Sequence, residues 1–156
     1  MTEWLARFVA ESNKIEGIHR PPTDDEIQMT QQFVLCEAPN ITALENLVSA
    51  FQPGAILRDQ VGLDVRVGGY LPPRGGPKVR EWLAEILGTA NSLAASPWHV
   101  HCTYEQLHPF TDGNGRSGRA LWLWMMTKLG RDAHALQLGF LHTFYYQTLA
   151  NLERED

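Results

Sequence analysis

The chain has 156 residues, 44% of them hydrophobic, enough for one globular domain whose core needs no metal or disulfide staple. Its net charge of −5 at pH 7 argues against a surface devoted to DNA or RNA, so no direct nucleic-acid binding is expected. Any anion site has to be local, made by a few arginines and backbone amides.

In chain order, residues 4–16 place Trp4, Leu5, Phe8, Val9, Ser12, Ile15 and Glu16 at helical spacing, and "RPP" at 20–22 stops that helix. The opening "MTEWLARFVAESNK" lacks the apolar run of a signal peptide. "TDDE" at 23–26 is a capping box for a second helix reaching about Cys36. "APN" breaks it, Asn40 caps a third helix, "ITALENLVSAF", and "QPG" ends that one. Residues 55–76 change character, with short β-prone pieces, a turn near Gly62, then glycines and prolines. They predict an exposed hairpin followed by an irregular loop. Helical pattern returns at Val79, Trp82, Leu83, Ile86, Leu87 and Ala90. Ser96 and Pro97 open a helix that carries Val100, Tyr104 and Leu107 on one face and delivers His108. Another helix is expected from near Gly115 to Leu129. Its "ALWLWMM" is apolar nearly all round, as in a central buried helix, and far too short to span a bilayer. "GFLHTFYYQTLANLE" predicts a last helix. The total is six or seven helices and one hairpin, an all-α domain. Cys36 and Cys102 make no CxxC motif and fit reduced thiols, so a cytoplasmic protein without a membrane partner is expected.

The chemistry concentrates in "HPFTDGNGRSGR", residues 108–119. The amides from Gly113 to Arg116 lie at a helix N-terminus, where exposed N–H groups and the helix dipole favour an anion. Arg116 and Arg119 add two forked cations, which suit a polyphosphate better than one carboxylate. Asp112 beside phosphates calls for a divalent cation between them. His108 at the lip has the chemistry of a general base near neutral pH. The plainer alternative is a glycine-rich turn whose arginines pair with surface carboxylates. A dinucleotide GxGxxG would follow a strand, whereas a helix precedes this loop, and the P-loop lysine is missing.

The same twelve residues resemble the signature HPFx(D/E)GNGRxxR of the Fic-domain family at every position. The likeness extends to "HCTYEQLHPF" before the motif, to 57–80 as the family's flap, and to "YYQTL" at 145–149 as its final core helix. The resemblance implies a Fic fold with a flap hairpin over 56–73. It also implies transfer of AMP from ATP to a Ser, Thr or Tyr hydroxyl of a protein docked on that flap, or of the chain itself, with release of pyrophosphate. Carried onto this chain, His108 is the base, Phe110 the apolar plug of the loop, and Asp112 the ligand of Mg²⁺ (or Mn²⁺). Asn114, with the amides of Gly113 and Gly115, holds α-phosphate oxygens. Arg116 contacts phosphates near the scissile bond, and Arg119 holds the γ-phosphate. Gly115 stands where phosphate-transferring relatives carry a lysine.

A second resemblance lies upstream. "SNKIEG", residues 12–17, is similar to the family's inhibitory motif (S/T)xxxE(G/N), with Ser12, Glu16 and Gly17 at its marked positions. Leu5, Val9, Ser12 and Glu16 continue one helical stripe, so Glu16 prolongs a face that should be buried, where a carboxylate needs a cation. Arg119 is the expected partner, and 1–19 the expected inhibitory helix inside a single domain, 1–156. The plainer reading is a solvated glutamate at a helix end.

His99 and His101 form "HVH", but residues two apart on a helix face apart, so His101 is expected as a structural residue under the loop. A zinc hydrolase using His101, His108 and Asp112 would leave Asn114 and the arginines unexplained. Trp82, Trp122 and Trp124 fit core packing, and Tyr145 and Tyr146 fit either core packing or an adenine contact. The reading is therefore an autoinhibited adenylyltransferase. Its rivals are an enzyme that removes AMP with Glu16 aligning a water, and a nucleotide-gated binding module without turnover.

Overall fold

The computed structural model describes residues 2–131, and side-chain caps set where three of its six described helices begin. α1 (Thr2–Ile15) is followed by α2 (Asp24–Leu35). There Thr23 accepts from the Glu26 amide at 3.1 Å and the Glu26 carboxylate takes the Thr23 amide at 2.8 Å. Asn40 Oδ1 accepts from the Ala43 amide at 2.8 Å to open α3 (Ile41–Phe51). α4 (Pro77–Ser92) starts on a proline, which lacks an amide the first turn would leave unpaired. Ser96 caps α5 (Pro97–Leu107), and Gly113 precedes α6 (Asn114–Lys128). The helix read from "GFLHTFYYQTLANLE", with Tyr145 and Tyr146, lies outside the described residues. Among the described residues no helix is long and apolar enough to cross a membrane.

α6 packs against α1, α2, α3 and α5. Its Leu121, Trp124 and Met125 meet Leu44, Leu47 and Val48 of α3 and Tyr104 of α5 in the main core. Each such side chain contributes roughly 1.5–3 kcal/mol by leaving water. A smaller cluster of Leu5, Phe8, Val34 and Leu123 fastens α1 to α2 and α6. Trp124 is buried as expected, and Trp122 is partly buried against the smaller cluster. Trp82 departs from expectation, being 40% exposed. The buried stripe of α4 runs through Val79, Leu83, Ile86, Leu87 and Ala90, and Trp82 is turned about 100° from its neighbour Leu83. Cys102 is buried, Cys36 half-buried, and both are free thiols.

The hairpin expected over 56–73 does not form a strand ladder. Its cross-pairings are two isolated antiparallel bridges, Leu57 with Phe110 and Val67 with Tyr70. The cause is where its backbone groups go. Arg58 N donates to Pro109 O at 2.8 Å and Thr111 N to Ile56 O at 2.9 Å, so the first β-prone piece pairs with the motif loop. The Leu63 and Pro73 carbonyls are taken by the Arg58 guanidinium at 3.0 and 2.9 Å. A tight turn remains at the tip, where Val67 and Tyr70 exchange two backbone bonds of 3.0 and 2.9 Å.

Candidate active site

The loop between α5 and α6 is shaped from its ends. His108 closes α5 at φ 51°, ψ 63°, a left-handed conformation that costs a non-glycine residue roughly 1–2 kcal/mol. Phe110, two residues on, is fully buried in the main core and anchors the loop. Asn114 then closes it, accepting from Phe110 N at 2.8 Å and donating to Phe110 O at 2.9 Å. The side chain expected to hold phosphate is therefore engaged with the loop's own backbone. Gly113, at φ 77°, makes the turn into α6. The first helical bond there is Ser117 N to Gly113 O, 3.0 Å, so the amides of Gly115 and Arg116 precede it without a helical acceptor.

The two arginines leave this turn in different directions. Arg116 runs to the end of α3, donating to Phe51 O at 3.1 Å and Gln52 Oε1 at 3.4 Å, with its guanidinium 5.4 Å over the Phe51 ring. Arg119 runs to α1. Its Nε donates to Ser12 Oγ at 2.7 Å, and its Nη2 to Ser12 O at 2.9 Å and Glu16 Oε1 at 2.7 Å. The pair read from the sequence, Glu16 with Arg119, is present. The Glu16 carboxylate lies directly over Gly115, where any side chain would collide with it. It thus sits against the helix N-terminus, the place an incoming anion would take.

Glu16 is held there by contacts that sequence reading missed. Gly17, at φ 76°, ends α1, with Ile18 N bonded to Asn13 O at 3.0 Å. Asn13 Nδ2 donates to Glu26 Oε2 at 3.0 Å, and Arg20 Nη1 to Glu26 Oε1 at 2.7 Å. Burial pushes the Glu26 carboxyl up, but Arg20, Asn13 and the Thr23 amide and hydroxyl outweigh it and hold the group below the usual carboxylate range. The turn after α1 is thereby stapled to the start of α2. No local signal marks Asn13 for this role, since it lies beside the apolar stripe.

The candidate base is a neutral imidazole. Burial is the main cause holding His108 below its ordinary value. The Arg58 cation adds to that, while the Glu105 carbonyl, Glu16 and Asp112 act the other way. Nδ1 lies buried and, although the Glu105 carbonyl is near, forms no hydrogen bond of good geometry. The Glu105 carboxyl is raised to about 7, first by burial and then by Glu16, against the pull of Arg119. Its Oε1 has no hydrogen-bond partner. Two carboxylates, Glu16 and Glu105, thus act on one guanidinium.

Asp112 is exposed, and its Oδ1 accepts from Gly113 N at 2.7 Å. An exposed single carboxylate of this kind has the donor chemistry that suits a hard divalent cation completed by phosphate oxygens and water. His101, His108 and Asp112 do not assemble into a metal-binding group, and no such cluster of three occurs among the described residues. His101 is buried below the loop against Trp98, with ring centroids 5.3 Å apart. Burial, aided by Arg119 and opposed by a hydrogen bond with the Gly118 backbone, lowers it to about 3.

That depression has a stability consequence. His101 stays neutral in the fold but takes a proton near its ordinary value of 6.5 once unfolded. Its contribution is therefore present above pH 6.5 and lost as pH falls toward 3, on the order of 4–5 kcal/mol in all. Urea titrations at stepped pH should show the gap between wild type and His101→Gln narrowing over that interval. A gap constant with pH would contradict a neutral buried His101.

Two comparisons bear on this arrangement. The family model described as Fic/DOC family matches residues 40–126, which takes in α3 to α5, the whole motif loop and most of α6, and begins after Glu16. No curated protein matches the chain.

Proposed function

Because the chain belongs to the Fic/DOC family, whose members commonly transfer nucleotidyl groups, we propose that it is an autoinhibited protein adenylyltransferase. It moves AMP from ATP to a Ser, Thr or Tyr hydroxyl of a protein target, or of itself. The observation that carries the reading is the Glu16 carboxylate paired with Arg119 at 2.7 Å over the open amides of α6.

In the proposed reaction, neutral His108 takes the proton of the attacking hydroxyl. The hydroxyl oxygen bonds to the α-phosphorus as the bond to the β-phosphate bridging oxygen breaks, and pyrophosphate leaves with that electron pair. The Gly115 and Arg116 amides hold non-bridging oxygens at the α6 N-terminus, and Arg116 adds charge there. Asn114 keeps the loop in the shape that presents those amides. Arg119, once released from Glu16, holds the γ-phosphate. Asp112 would hold Mg²⁺ or Mn²⁺, which when bound neutralises phosphate charge.

Product analysis tests the reaction. Glu16→Gly protein given ATP should release pyrophosphate in step with AMP fixed on protein. Inorganic phosphate as the main product would contradict nucleotidyl transfer. Loss of AMP from pre-modified protein, fast with wild type and slow with Glu16→Gly, would favour AMP removal instead.

A further inference from the structure

Arg58 is a buried cation that the nucleotide chemistry does not use. It is fully buried, and no carboxylate lies within ion-pair distance of it among the described residues. Its guanidinium instead faces four carbonyl oxygens on two sides. Nε donates to His108 O at 2.6 Å and Nη2 to Leu107 O at 2.8 Å. Nη1 donates to Leu63 O at 3.0 Å and Pro73 O at 2.9 Å, near the two ends of the 59–75 segment. We infer that Arg58 is a positioning residue for His108, coupling the flap segment to the alignment of the base. The inference rests on the function proposed above and adds a residue to it.

Three features support the coupling. First, α5 ends with carbonyls that lack helical partners and has no basic residue in its last turn, so its C-terminal charge is met from outside, by Arg58. Second, His108 is in a left-handed conformation that its surroundings must hold. Its amide is fixed by Tyr104 O at 2.9 Å, and its carbonyl by Arg58. Third, the segment carrying Arg58 is itself paired to the loop, through Arg58 N to Pro109 O and Thr111 N to Ile56 O. A displacement of Leu63 or Pro73 therefore reaches the His108 carbonyl through one rigid planar group. Lysine cannot replace it, because a single nitrogen cannot serve oxygens on both sides.

The charge of Arg58 also acts on the imidazole. The charged groups bearing on His108 are Arg58, which lowers its pKa, and Glu16 and Asp112, which raise it. Removing the cation alone should move the imidazole up toward its ordinary value, and replacing it by another cation should not.

The test uses the full chain with Glu16→Gly as parent, adding Arg58→Gln or Arg58→Lys. NMR titration of the His108 imidazole should show a higher pKa in Arg58→Gln and an unchanged one in Arg58→Lys. Both should lose kcat for AMP transfer, on the order of 10²-fold, with the KM for ATP unchanged. A folded Arg58→Lys protein with the parent's kcat overturns the inference, as does a rise in KM at constant kcat. An imidazole that titrates in Arg58→Gln as in the parent does so too. If Arg58→Gln does not fold, Arg58→Lys decides. The parent itself gives a measurement free of folding effects. Its Arg58 Nε–H signal should resist exchange with solvent and shift as the imidazole titrates. A freely exchanging signal, or one indifferent to the imidazole, overturns the coupling. A parent that transfers no AMP would sink the proposed function alone, because the imidazole titration reads Arg58 without turnover.

Discussion

Glu16→Gly should raise AMP transfer on the order of 10²-fold, and Arg119→Ala added to it should cancel the gain. In the proposed mechanism Glu16 and the γ-phosphate compete for one cation. In the wild type, Arg119 Nη2 spends its bonds on Glu16 Oε1 and Ser12 O, and the carboxylate covers Gly115 at the α6 N-terminus. A triphosphate meets both a blocked clamp and a negative charge where its own charge must go. Glycine removes the carboxylate and leaves the rest of α1 in place. Asn13 still bonds Glu26, Ser12 still orients Arg119, and Leu5, Phe8 and Val9 stay buried. The gain should therefore appear without a large drop in melting temperature. Initial rates for wild type, Glu16→Gly and the double variant should read low, high and low. A wild type already as fast as Glu16→Gly would reduce α1 to packing. A double variant as fast as Glu16→Gly would remove Arg119 from the competition.

His108→Ala, in the Glu16→Gly chain, should cost roughly 10²–10⁴-fold in transfer while ATP binding persists. The groups assigned to phosphate are the Gly115 and Arg116 amides, Arg116, Arg119 and Asp112, and none is removed. The loop should also survive, since Phe110 and the Asn114 closure fix it independently of the imidazole. Calorimetry with ATP checks binding, and the initial rate checks transfer. In the parent, transfer should fall at acid pH as the imidazole protonates. Burial holds that loss below the ordinary histidine value. Transfer by His108→Ala at the parent's rate would remove His108 as the base.

What could be read from the sequence was what local chemistry writes. Thr23, Asn40 and Ser96 cap helices because each side chain reaches an amide three residues on. Glu16 could be matched with Arg119 because it extended an apolar stripe that had to bury a carboxylate against some cation. What failed depends on partners distant in sequence. Residues 56–58 have β-prone composition, but their partner is the loop at 109–111 and not the neighbouring piece. Arg58 escaped notice because its oxygens lie 5, 15, 49 and 50 positions away, which no spacing rule covers. Alternation along a strand would also have sent Arg58 to the face opposite buried Leu57, yet both are buried. Asn114 was read by its ligand chemistry, whereas its nearest polar groups are the backbone of Phe110, four residues back. Trp82 was counted into the core by hydrophobicity, although the stripe beside it was complete without it.

In the proposed function one carboxylate, Glu16, withholds a nucleotidyl transfer that residues 108–119 would otherwise perform. The most direct measurement is the label retained on protein when wild type and Glu16→Gly are incubated in parallel with ATP labelled at the α- or the γ-phosphate. α-Label should be fixed on a hydroxyl side chain, abundant with Glu16→Gly and scarce with wild type, and no γ-label should be retained with either. Protein that retains γ-label, or that retains no label even as Glu16→Gly, would contradict the proposed function.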